Sequence, residues 1–208
     1  MTKVVGMTAR RSDPERRDRL IDVTLDLIAE NGVAGISHRK IATRADVPLG
    51  SMTYHFDGMD DLLHEAFTRF AGTIIARFEA ALGSATAPDE ARAAIVSLIH
   101  DDLAAEGRLR DQVLSYELYT LAARQPAFRR ITREWMRRSR VELERHFDPD
   151  TARRVDALIE GLSIHRVLDP EPPSRRFTEE AVARITAPAP PARPAPPRLP
   201  DPRLLVDP

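Results

Sequence analysis

The chain has 208 residues, a formal net charge of -1 and no cysteine. That length is enough for one or two domains with proper cores, and the lack of cysteine excludes disulfides and thiolate metal sites and suits a reducing cytoplasm. No run approaches about 20 apolar residues, and the opening MTKVVGMTARR lacks the apolar centre of a signal peptide, so the expectation is no membrane partner and a cytoplasmic location.

Asp13-Pro14-Glu15 reads as a cap followed by proline in the first helical turn. From there Leu20, Ile21, Val23, Leu25, Leu27 and Ile28 recur at helical spacing up to Asn31-Gly32. Ser37 then caps a short helix to about Ala45, Asp46-Val47-Pro48 breaks it, and a second short helix runs from about Leu49 to Phe56. A long amphipathic helix is expected from Met59 to Leu82. Further helices are expected over 88–105, 109–123, 126–146, 150–168 and 174–186, each bounded by glycine or proline breaks. No segment shows the period-2 alternation of a strand, so the fold class is all-α. Residues 188–208 carry more than half of the prolines and are expected to be a disordered, polyproline-like tail.

Helices of two turns are unstable alone, since nucleation is costly and few hydrogen bonds follow. The pair over residues 37–56 must therefore lean on its neighbours, which is the helix-turn-helix arrangement, with the second helix held out to enter a DNA major groove. Small and hydrogen-bonding residues belong on such a face, and Leu49, Gly50, Ser51, Thr53, Tyr54 and His55 are expected there. Ser37, His38, Arg39 and Lys40 start the preceding helix, and Arg39 can reach a guanine edge or a phosphate with its planar fork. The near-neutral net charge argues against a nucleic-acid partner, but the basic residues cluster at the N-terminus, where residues 1–13 read as a flexible basic arm.

The order GISHRKIATRADVPLGSMTYHF, after a helix ending in ENG and before DGMDDLLHEAF, resembles the DNA-binding domain of the TetR family of transcriptional regulators. The resemblance covers about residues 14–68. It implies an N-terminal three-helix helix-turn-helix domain over residues 14–58, joined by the helix from Met59 to a helical-bundle domain over 59–187. It also implies a homodimer, a double-stranded DNA operator and a small-molecule effector. The sequence departs from the family at four positions. Asp46 stands where glycine is usual, so a positive φ is expected there. Thr53 and Met59 replace a common tyrosine and lysine, and Pro48 replaces a capping serine.

Residues 88–187 hold the single tryptophan, Trp135. Candidate pocket residues are Phe70, His100, Leu103, Tyr116, Tyr119, Trp135, Met136 and His165, large side chains with a few orienting polar groups. Phe128, Ile131 and Trp135 form a stripe that reads first as core, with pocket as the alternative that helical periodicity alone does not separate from it. By resemblance, Val155, Leu158, Ile159, Leu162, Ala181, Val182 and Ile185 form the dimer interface.

No catalytic, metal or cofactor site is expected. GLSIH at 161–165 lies inside a helix and lacks a nucleophile elbow, and His100-Asp101-Asp102 points three ways around a helix. The expected function is a homodimeric repressor released from a palindromic operator by an inducer. Two alternatives share the fold: a DNA binder without an effector, and a ligand-binding module that has lost DNA affinity.

Overall fold

The computed structural model describes residues 15–100 and 105–187; the basic arm, the proline-rich tail and Leu103 lie outside them. Among the described residues there are nine α-helices, one 3₁₀ turn and no strand. They are α1 (Arg16–Asn31), the 3₁₀ turn Val33–Gly35, α2 (His38–Arg44), α3 (Gly50–His55), α4 (Met59–Gly83), α5 (Pro88–His100), α6 (Ala105–Arg124), α7 (Pro126–Leu143), α8 (Pro149–Leu168) and α9 (Arg175–Ile185). None of the described helices is long and apolar enough to cross a membrane.

The boundaries differ from the expected ones where local hydrogen bonds decide. Glu15 is the N-cap of α1 and makes no side-chain capping bond, while Asp13 and Pro14 fall outside the described residues. α7 ends at Leu143, short of residue 146, because the amides of His146 and Phe147 both donate to the Leu143 carbonyl and close the chain into turns. Asp148 then accepts from the amides of Asp150 and Thr151 with Pro149 in the first turn, a side-chain cap that starts α8.

Two apolar clusters organise the bundle. The first joins the small N-terminal helices to α4, α6 and α7 through Leu20, Ile28, Ile41, Met52, Phe67, Leu114, Leu118 and Phe128. Phe67 and Phe128 meet edge to face, ring centroids 6.1 Å apart, and both are buried. Truncating either to alanine would cost roughly 3 to 5 kcal/mol by cavity formation. The second cluster joins the end of α4 to α5, the end of α7, α8 and α9 through Phe78, Leu82, Ile95, Leu143, Val155 and Val182. The N-terminal unit thus shares a core with the first half of the larger domain, so a shift of α6 or α7 is felt at α1.

Glycine is required at the join of α1 and α6. Gly32 has φ 69° and donates its amide to the Ile28 carbonyl, closing α1. A Cβ there would strain the backbone at this positive φ and would meet a Glu117 side-chain oxygen at 2.8 Å, so the Glu117 carboxylate would have to swing aside.

Candidate nucleic-acid interface and interior cavity

Ser37 caps α2 by accepting from the Lys40 amide at 3.3 Å. Ile41 and Ala42 turn inward, leaving Arg39 and Lys40 exposed on the outer side. The three basic residues of this helix are in different situations. Arg44 grips Glu30 of α1 with two bonds of 2.9 and 2.8 Å, which also holds the Glu30 carboxyl below its ordinary value. Lys40 reaches the Gly35 carbonyl at 2.5 Å. Arg39 has no ion pair among the described residues and remains available to a polyanion.

The turn after α2 carries Asp46 at φ 53°, the positive value expected from the sequence. The Val47 amide returns to the Ala42 carbonyl at 3.0 Å, so the chain reverses without a glycine. With Pro48 in place of a capping serine, α3 starts on a tight turn: the Ser51 amide donates to the Pro48 carbonyl at 2.8 Å and Met52 to Leu49 at 3.1 Å. No side chain caps it.

The expected outward face of α3 needs one correction. Ser51 is buried, and His55 is half-buried. Because α3 must bury Met52 and Phe56 one turn apart, their immediate predecessors Ser51 and His55 are carried toward the body by the 3.6-residue repeat. The face turned away from the body is Leu49, Gly50, Thr53 and Tyr54. Tyr54 is 83% exposed and Leu49 50% exposed. An added Cβ on Gly50 would meet nothing within 4 Å, so the protein itself gives no reason for glycine there. Thr53 Oγ1 donates back to the Gly50 carbonyl at 3.2 Å, and Tyr54 and His55 stack edge to face at 4.8 Å. Behind this face, Arg17 of α1 lies over the Phe56 ring at 5.3 Å and bonds Glu65 of α4, pinning the C-terminal end of α3.

At the start of α4 the Asp57 amide donates to Asp61 at 3.1 Å, Gly58 has φ 119°, and Asp60 and Asp61 occupy the first turn. These acids favour the helix dipole but repel a phosphate. Met59, at the family's lysine position, packs against the first core cluster.

Between α4, α5, α6, α7 and α8 lies a cavity of about 150 Å³. Of the residues expected in a pocket, Tyr119 and Trp135 line it. The Trp135 ring has one edge against buried Phe70, 6.1 Å between centroids, and is 6.0 Å from Tyr119. The Phe128, Ile131, Trp135 stripe therefore divides: the first two are core, and Trp135 lies between core and cavity. Phe70 belongs to the core and to a separate shallow cleft beside Asp22 and Arg110. His100 bonds Thr178 of α9 at 2.9 Å, and His165 is 62% exposed beside Asp169. Tyr116 and Met136 are half-buried outside the lining.

Sequence reasoning missed the charged lining: Arg77, Arg108, Asp111, Asp156 and Glu160. The Tyr119 hydroxyl donates to Glu160, and burial together with that carboxylate pushes the phenol far above its ordinary pKa. Arg77 pairs with Asp111, while Asp156 faces Arg140 at 3.7 Å. Burial is the main cause that raises the Asp156 carboxyl to about 6, against the attraction of Arg140. The available signal was the i, i+4 spacing of Asp156 and Glu160 on a predicted helix. A polar stripe of this kind is invisible to a search for apolar periodicity.

The expected dimer residues divide as well. Val155, Leu162 and Val182 are buried in the chain's own second core, Ile159 lines the cavity, and Leu158, Ala181 and Ile185 are half-buried. α8 and α9 need their strongest apolar positions to close on α5, so only weaker positions are left outside. The large exposed apolar residues of these helices are Leu168 and Phe177, at 62% and 56% exposure.

Comparison with known proteins places this geometry. Residues 20–66 match the family model described as bacterial regulatory proteins, tetR family, and residues 87–188 match the tetracyclin repressor-like C-terminal domain. The solved structure of the regulator SCO7518 from Streptomyces coelicolor A3(2) is 61% identical, with 83% of this chain and 99% of that one covered and a TM-score of 0.77. The multidrug binding protein EbrR, solved with imidazole, is 35% identical over 88% of this chain and 100% of its own, TM-score 0.68. EbrR is also solved with ethidium, malachite green and proflavin. The transcriptional regulator BetI 1 of Chromohalobacter salexigens is 28% identical over 85% of this chain and 95% of its own.

Proposed function

The chain belongs to the TetR family of transcriptional regulators, and from that premise we propose that it is a cytoplasmic homodimeric repressor whose two α3 helices read a palindromic operator. The observation that carries the reading is the outer face of α3. Leu49, Gly50, Thr53 and Tyr54 stand away from the body, and Arg39, on α2, is exposed with no ion pair among the described residues. Gly50 has open space around it, which suits close approach of a sugar-phosphate backbone. Leu49 and the Tyr54 ring suit thymine methyls and sugars, while the hydroxyls and Arg39 suit phosphates or base edges.

Small-molecule release is supported by the cavity, whose walls include α4, the helix that also carries the N-terminal unit. It is supported too by EbrR, which is solved with four different small molecules. A ligand acts only through differential affinity for the operator-competent arrangement and another one. In the competent arrangement the two recognition helices sit about 34 to 36 Å apart, one turn of B-DNA. Dimerisation through α8 and α9 is supported by the exposed Leu168 and Phe177.

The test is a mobility shift with DNA from the chain's own upstream region. A sequence-specific complex with two-fold protection is expected at low salt. If specific and random DNA bind alike, the repressor reading fails.

A further inference from the structure

On the reading that the cavity is the effector site, we propose that the cleft beside α1 is its mouth and that the ion pair of Arg77 and Asp111 is the gate between the two. The cavity lies among α4, α5, α6, α7 and α8, and the cleft, of about 330 Å³, lies among α1, α4 and α6. Arg77 and Asp111 line both hollows, and they are the only described residues that do. They are also paired with each other. On α4 the wall passes from Thr73 in the cleft to Ile74 in the cavity, and on α6 from Gly107 and Arg110 in the cleft to Arg108 and Gln112 in the cavity. The described partition is thus one side chain from each helix.

The seam between α4 and α6 changes character at this point. Toward the N-terminal unit it is closed by Phe70 and Ala71 of α4 and by Leu114 and Leu118 of α6, all buried in the first apolar cluster. Further along α4 the second cluster begins at Phe78, and none of its described members comes from α6. Arg77 and Asp111 fall in the gap. An apolar seam parts only by exposing its side chains to water, whereas charged side chains regain hydration as they separate. Both keep some exposure, 26% and 19% of the side chain. Asp111 has a second partner on the cleft side, Arg110 at 3.6 Å, so a swing of the carboxylate from Arg77 toward Arg110 opens the passage and keeps the carboxylate paired. Gly107, one helical turn before Asp111, brings no side chain to the mouth. The seam between α7 and α8 also holds an ion pair, Arg140 with Asp156 at 3.7 Å, but there the second apolar cluster continues across both helices through Leu143 and Val155.

Trp135 is the only tryptophan and lines the cavity, so a small neutral quencher reports how readily solutes reach it. Acrylamide is added to the full-length protein, and the bimolecular quenching rate is read from the Trp135 fluorescence lifetime. Arg77→Ala and Asp111→Ala are each expected to raise that rate by roughly threefold or more, because loss of a closing contact raises the open population. The exchanged pair, Arg77→Asp together with Asp111→Arg, is expected to bring the rate back toward its original value. Arg140→Ala, which removes the pair between α7 and α8, is expected to leave it unchanged. In the unaltered protein, raising the salt concentration is expected to speed quenching as the pair is screened, a readout that needs no variant. Unchanged quenching in both single variants overturns the proposal, and so does an increase that the exchanged pair retains or that Arg140→Ala matches. Acrylamide need not bind as an effector does, so failure here strikes the gate alone. The effector reading falls by a different result, an operator complex that no cavity ligand weakens.

Discussion

Asp46 and Asp156 are both aspartates in places that disfavour them. Asp46 sits at φ 53°, where aspartate is tolerated but alanine is not. Asp46→Ala should destabilise the protein by roughly 1 to 2 kcal/mol, and Asp46→Gly should not, as read by thermal unfolding. Asp156 has a folded pKa raised from 3.8 to about 6, so the folded state binds its proton more tightly than the unfolded state does. The buried charge therefore destabilises the fold above pH 6, and the penalty fades as pH falls toward the unfolded value near 3.8. Asp156→Asn is expected to raise stability near neutral pH by roughly 1 to 3 kcal/mol, a gain that disappears in acid. If the gain is instead constant with pH, the charge is not its cause. Arg39 is the reverse case, exposed and unpaired. Arg39→Ala should leave the melting temperature unchanged and weaken specific operator binding by roughly 1 to 3 kcal/mol.

Among elements, α3 shows how little a recognition helix needs of its own. It has six residues and no side-chain cap, and it is held by Met52 and Phe56 inside and by Arg17 over the Phe56 ring. Its existence was legible from the tight break at Asp46-Val47-Pro48. Its facing was legible only in part, because a two-turn stretch lets Ser51 fall on either side until Met52 is placed in the core. α8 and α9 show the same limit. Their apolar residues were visible in the sequence, but whether Val155 or Val182 served this chain or a second one depended on where α5 came to rest. The large apolar side chains left exposed on these two helices are Leu168 and Phe177. Phe177→Glu should yield a folded monomer by sedimentation, with operator affinity lost because two half-sites are no longer bound together. A Phe177→Glu protein that stays dimeric would move the interface elsewhere.

Across the whole molecule, a chain of ion pairs runs from the cavity to the N-terminal unit. Arg77 and Asp111 line the cavity, Asp111 lies 3.6 Å from Arg110, and Arg110 bonds Asp26 of α1 at 2.8 Å. Nearby, Arg69 of α4 holds Asp18 and Asp22 of the same helix α1. Each exposed pair contributes little stability, about 0 to 1 kcal/mol. Their shared geometry nevertheless ties α4 and α6 to α1. Arg110→Ala is therefore expected to leave operator binding nearly intact and to reduce ligand-driven release by roughly 0.5 to 2 kcal/mol of coupling, compared as ligand affinity with and without operator.

Local chemistry was enough to specify the nine described helices, the positive φ of Asp46 and the helix-turn-helix, because capping, helical periodicity and turn residues act within a few positions of one another; it did not fix every boundary, since α6 starts at Ala105 and runs through Gly107 and α7 stops at Leu143. The cavity's charge, the inward turn of Ser51 and the division of Phe128 from Trp135 depend on which helices meet. Asp111 of α6 and Asp156 and Glu160 of α8 line one space only after α6, α7 and α8 close around it. Burial and pairing are properties of that closure, and no single segment contains them.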